Sequence, residues 1–272
     1  GLNYLWYADA DRGRFRFFDD SREWNQIDKV GHVHSAYFLS NWVHRLYEWG
    51  GTDDRRAAWT GFGLGLAFMH SIEIFDGFSE KWGASWSDIV FNTAGSGLFL
   101  AQELAWGEQR IRTKYSFHAV EHADDELLTR AEALYGTNAL ERLIKDYNGL
   151  VVWLSVNPSS FRPPEKRRVE WLNVAVGYGA GGMYGGFENS WELEDGTEVE
   201  RFDVHRYRSF YLSLDIDLER LPVQKRGART LLTMLNIIKV PAPALEVNTK
   251  GEVVFHPMFF LNWNYPLVMN PR

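Results

Sequence analysis

Polar groups set one helical turn apart inside otherwise apolar stretches are what most constrain this chain. They read Asp28-Lys29-x-x-His32, Glu73-x-x-Asp76, and Ser85-Trp86-x-Asp88 followed by Asn92. That spacing puts Asp28 with His32, Glu73 with Asp76, and Asp88 with Asn92 on shared helix faces. Ala, Gly, Phe, Leu and Trp crowd the rest of those faces. A polar group survives burial only with a partner, so the helices are predicted to meet where these groups lie. The expected result is a structural polar network of Asp28, Lys29, His32, Glu73, Asp76, Asp88 and Asn92.

The same groups can do chemistry. His32, Glu73, Asp76 and Asp88 are candidate catalytic residues, with Asp28 orienting His32, Glu73 acting as a base and Lys29 steadying an anion. That set would suit a membrane-apposed hydrolase of envelope lipids or glycans. Two features weigh against a metal centre. His32 and His34 diverge by about 200° around a helix, and the helices that carry these groups hold neither a His-x3-His nor a His-Glu-x-x-His pair. No metal and no cofactor is expected. Ser85 as an N-cap with Asp88 three residues on also gives Asp88 an ordinary structural role. A satisfied network is the leading reading; catalysis and ligand binding without chemistry stay open beside it.

These blocks resemble the YfiM-like family of uncharacterised predicted periplasmic lipoproteins and, more distantly, the VanZ-like proteins. The resemblance covers about residues 24–106 and rests on Asp28-Lys29-x-x-His32, Glu73-x-x-Asp76, and Ser85-Trp86-x-Asp88 with Asn92 and Ala94-Gly95. Lys145-Asp-Tyr-Asn-Gly149 and Trp153-Leu-Ser look like the larger, Bacteroidota-type form. The resemblance implies an accessory or structural component of the bacterial envelope, on the periplasmic side of or within the outer membrane after removal of an export signal. Its implied partners are an outer-membrane protein complex or the membrane interface. The lipoprotein pattern includes an acylated cysteine, and this sequence contains none.

Composition removes other classes. A net charge of −7 without a basic stripe excludes a generic nucleic-acid binder. Gly177-Tyr-Gly179-Ala-Gly-Gly182 spells a dinucleotide fingerprint, but no helical period follows it, so no nucleotide is expected. The most apolar helical stretch, Ala57 to Phe75, is interrupted by His70 and Glu73. It reads as a buried core helix rather than a span of roughly 20 apolar residues. Aromatics at 15%, with 12 Trp and 12 Tyr, favour carbohydrate, membrane-interface or protein-interface surfaces.

Near residue 108 the hydrophobic period drops from helical to two, which predicts an α+β fold. Residues 1–107 form a helical bundle, packed against a mostly antiparallel sheet with interspersed helices over residues 108–272, in one continuous globule. Helices are expected over Asp28–Trp49, Asp53–Phe75, Ser85–Trp106, Asp124–Lys145 and Gly227–Lys239. Strands are expected over Arg112–Val120, Leu150–Asn157, Val169–Gly179, Arg206–Leu218 and Glu252–Asn262. In Arg206–Leu218 the apolar Phe210, Leu212, Leu214, Ile216 and Leu218 should lie on a covered face, with Asp215 and Asp217 toward water or a polar cavity. Val169–Gly179 instead has the large-out, small-in habit of outer-membrane barrels, but too few strands are read to close the usual eight or so. A curved sheet capped by helices or a partner is therefore expected. The tail, with Phe259, Phe260, Trp263 and Tyr265, reads as an interface segment.

Overall fold

The computed structural model describes residues 13–80, 82–193, 195–259 and 267–269. Helices precede an antiparallel sheet that carries further helices, an α+β architecture. The chain divides into two compact units, one of residues 1–22 and 29–109 and the other of residues 23–28 and 110–272.

The first unit is built on three helices, α1 (Ile27–Trp49, contributing from Lys29), α2 (Asp54–Gly77) and α3 (Trp86–Trp106). Each start is marked in the sequence. Asp53 accepts from the Arg56 N–H at 3.1 Å to cap α2, and Ser85 accepts from the Asp88 N–H at 3.1 Å to cap α3. Tyr37, Ala58, Phe99 and Leu100 form the apolar centre, with Phe62 and Leu98 against it. Helices α1 and α2 run backbone to backbone: a Cβ on Gly61 would stand 2.5 Å from the Ser40 carbonyl oxygen. Ahead of these helices, Phe18 N–H donates to the Ala84 carbonyl at 3.0 Å and Ala84 N–H to the Arg16 carbonyl at 2.9 Å. That short pairing delivers Asp20 to the start of α3.

The second unit holds a sheet of seven strands in the order β1-β2-β3-β6-β7-β8-β9. They are β1 (Ile111–Phe117), β2 (Leu150–Val156), β3 (Leu172–Gly181), β6 (Tyr207–Ile216), β7 (Ala244–Asn248), β8 (Val253–His256) and β9 (Leu267–Met269), every neighbouring pair antiparallel. A separate hairpin joins β4 (Ser190–Glu192) to β5 (Glu198–Glu200). The helices are α4 (Asp125–Tyr135), α5 (Ala139–Lys145) and α6 (Arg226–Leu235). The single helix expected over Asp124–Lys145 is broken because Gly136 adopts φ 89°, a left-handed conformation that ends α4. The Gly-rich fingerprint lies along β3 and the turn after it, not at the strand-to-helix turn that a dinucleotide site requires.

The sheet reverses one expectation. On β6 the apolar Phe210, Leu212 and Leu214 are exposed, whereas Ser209, Tyr211, Ser213 and Asp215 are buried. The registers carry this face across the sheet. Asp215 stands opposite Asn173, and Tyr211 is aligned with Gly177, Trp153 and Lys114 across three strands. The reason is that Asp215 and Lys114 form a 2.8 Å ion pair in which neither side chain is exposed. Trp153, Tyr211 and Phe259 pack on the same side. Phe259, read as part of an interface, thus belongs to this core, because its ring sits 5.5 Å from Trp153 and 4.9 Å from Tyr211. Phe260, Trp263 and Tyr265 lie outside the described residues.

The helix contact gives a direct test. Gly61→Ala forces a Cβ into the α1 backbone and is expected to cost about 1–3 kcal/mol, the range for overpacking. Gly63→Ala, with nothing within 4 Å of the added carbon, should stabilise by up to about 1 kcal/mol through helix propensity. Equilibrium unfolding of the two variants measures both, and equal effects would contradict the close approach of α1 and α2.

Candidate functional site

The three helices of the first unit bring their ionisable groups to one cluster. Lys29, from the first turn of α1, is fully buried, and its ammonium lies 2.6 Å from a carboxylate oxygen of Asp20 and 2.6 Å from one of Asp88. Two anions around one cation offset much of the cost of burying each, provided their remaining lone pairs are also used. They are used: Ser85 and Ser87 hydroxyls donate to the same Asp20 oxygen, the latter at 2.8 Å. Burial opposes ionisation of Asp20, but the hydrogen bonds from Lys29 and Ser85 outweigh it and hold the carboxyl below its ordinary value.

A second layer extends from Asp88. His32 Nε2 is 3.6 Å from Asp88, while its Nδ1 lies 3.0 Å from Asn92 Oδ1 and 3.7 Å from Glu73. Because an amide oxygen can only accept, Nδ1 carries the proton and donates to Asn92. Asn92 in turn donates from its amide nitrogen to Glu73 at 3.5 Å, and the Ser85 N–H donates to the other Glu73 oxygen at 3.4 Å. Glu73 is buried, and burial pushes its carboxyl up to about 7; the His32 charge opposes this, while Asp88 and Asp76 add to it. Asp76 therefore acts on the cluster through its field. Asp28, one turn before His32 on α1, is counted with the second unit, where the Tyr147 hydroxyl donates to it at 2.8 Å.

Chemically the arrangement can hold a proton near neutrality on Glu73, behind a histidine whose side chain is 17% exposed. His32 Nε2 and Asp88 are the donors of this unit suited to a cation. Asp20, Ser85 and Ser87 escape a reading based on helical spacing. Ser85 is visible as a cap, but Asp20 lies outside any helix and reaches the site only through the pairing of residues 16–18 with Ala84. A lysine in the first turn of an apolar helix was the available signal that a second carboxylate must exist.

Residues 15–102 match a family described as a predicted periplasmic lipoprotein (DUF2279). The match spans about a third of the chain and contains Asp20, Lys29, His32, Glu73, Asp76, Asp88 and Asn92, every residue of the cluster in the first unit. The helical unit is thus similar to a family of the cell envelope. No curated protein and no solved structure shows significant similarity to the chain. Among the described residues, no helix is long and apolar enough to cross a membrane.

The raised Glu73 carboxyl sets a pH dependence of known sign. A carboxyl whose folded value exceeds its unfolded one contributes its full stability while both states are protonated, below about 4.5, and loses it as pH rises toward about 7. Between about pH 5 and pH 8 the wild-type protein should lose on the order of 3 kcal/mol through this group. Glu73→Gln, neutral at every pH, should flatten that slope in thermal melts. Equal slopes in the two proteins would place the carboxyl in water.

Proposed function

We propose that this chain is an accessory, structural component of the bacterial cell envelope that works at the outer membrane with its protein assemblies. The observation that carries this reading is the saturation of the helical cluster. Lys29 is spent on Asp20 and Asp88, and Asn92 joins His32 to Glu73, so the groups hold three helices to one another. Such a cluster acts as a brace. The similarity of residues 15–102 to predicted periplasmic lipoproteins supports the envelope; the outer membrane within it is what the resemblance of the helical blocks to the YfiM-like family implies. Large apolar side chains left in contact with solvent, Trp49 and Trp86 among them, suit a protein that works against neighbours.

A second reading is favoured by one observation, the near-neutral Glu73 beside a partly exposed His32, which is an acid–base pair suited to hydrolysis of lipids or glycans. The two readings separate experimentally. Asp88→Ala leaves the buried Lys29 ammonium with Asp20 as its one carboxylate and is expected to cost about 1–3 kcal/mol of stability. The conservative Glu73→Gln should leave cellular function intact, as measured by complementation in the native host, if the cluster is a brace. Loss of function in Glu73→Gln with unchanged melting would make the site catalytic. Density-gradient fractionation of the native envelope should place the full chain with outer membranes, together with a stoichiometric partner. A solitary periplasmic monomer would contradict the component reading.

A further inference from the structure

The outward face of the sheet presents Val174, Val176, Leu212, Leu214, Leu245 and Val247, each between 37% and 52% exposed. They come from three adjacent strands, β3, β6 and β7, and every outward position from Phe210 to Ile216 of β6 is apolar. The inward face carries the charges, and they are paired. Lys114 bonds Asp215, Arg112 bonds Asp217 at 3.0 Å, and Glu246 accepts from Ser209 at 2.6 Å and from His256 at 2.7 Å. An antiparallel sheet with one face in water turns its polar side outward. This one does the opposite.

We propose that the outward face of β3, β6 and β7 is a lipid-contacting surface seated in the hydrocarbon layer of the outer membrane. The inference rests on the membrane association proposed above and goes beyond it by naming the occupant. Four observations favour acyl chains over a protein. The face is aliphatic, whereas protein interfaces are anchored by aromatic residues and Arg, with Leu and Val under-represented among their hot spots. Strands β3 and β6 are 10 residues each, within the 9–11 or so that a tilted membrane strand needs. An aromatic pair marks one end of the band, Tyr178 and Phe210 with ring centroids 5.5 Å apart. Finally, α6 shows Leu231, Met234 and Leu235 exposed at helical spacing with Arg226 and Arg229 on the same helix, the amphipathic pattern of a helix that lies in a membrane interface.

The chain contains no cysteine, so single-cysteine labelling needs no background removal. Val176→Cys, Leu212→Cys and Leu245→Cys report the face, and Glu198→Cys on the β4–β5 hairpin is the aqueous control. Each full-length variant is labelled with an environment-sensitive fluorophore, reconstituted in phosphatidylethanolamine–phosphatidylglycerol vesicles, floated, and quenched by nitroxides on the acyl chains or by iodide in the buffer. We expect the three face positions to be quenched several-fold more by acyl-chain nitroxide than by iodide, and the control the reverse. Flotation with iodide-accessible face labels would overturn the inference while leaving membrane association standing. Flotation with labels shielded from both quenchers would overturn it in favour of a protein cover, a second copy included. Failure to float would overturn both. Normal flotation of each variant confirms that the substitution itself has not removed binding.

Discussion

Lys114 and Asp215, an ammonium and a carboxylate 2.8 Å apart with neither side chain exposed, set the orientation of everything in the sheet unit. Charges so placed are tolerable only with further partners, and they have them. Asp215 also accepts from the Ser155 hydroxyl at 2.6 Å and the Val240 N–H at 3.1 Å, while Lys114 donates to the Ile216 carbonyl at 2.7 Å. Side chains on a strand alternate between faces, so enclosing these groups on one side commits the intervening valines and leucines to the other. The inward polar lining and the outward aliphatic face are one decision.

The helical unit repeats the theme with different geometry. There Lys29 takes the central place, and the surrounding donors and acceptors come from the start of α3, from the last turns of α2 and from the segment before α1. The close passage of α1 past Gly61 keeps the backbones near enough for such short side-chain contacts. In both units a buried lysine paired with carboxylate does the organising, Asp20 and Asp88 around Lys29 and Asp215 beside Lys114.

How much of this could be read from the chain differs between its parts. The helices were legible because their caps and apolar period agree: Asp53 and Ser85 stand where the chain turns into α2 and α3. Spacing also named most of the cluster, since turn-separated polar groups on apolar faces have few alternatives. Asp20 was not legible, because its contact with Lys29 depends on a backbone pairing of residues 16–18 with Ala84 that helical spacing does not mark. In the sheet, period two located β1, β2, β3 and β6, but alternation has no sign. Phe210, Leu212 and Leu214 look the same whether their face is covered or open. The clue lay across strands, where Asp215 and Lys114 reach one face only once the register is known. Strand β7 was missed because Ala244-Leu-Glu-Val-Asn is short and puts Glu246 and Asn248 among its inward residues.

The central claim is that the charged face of the sheet is its interior, and a double-mutant cycle on Lys114→Met and Asp215→Leu tests it most directly. Each single change leaves one buried charge alone and should cost about 3–5 kcal/mol in equilibrium unfolding, whereas the double variant should recover most of that loss. The coupling between the sites should then exceed about 2 kcal/mol. Two mild, additive single effects would put both side chains in water and contradict the inside-out sheet.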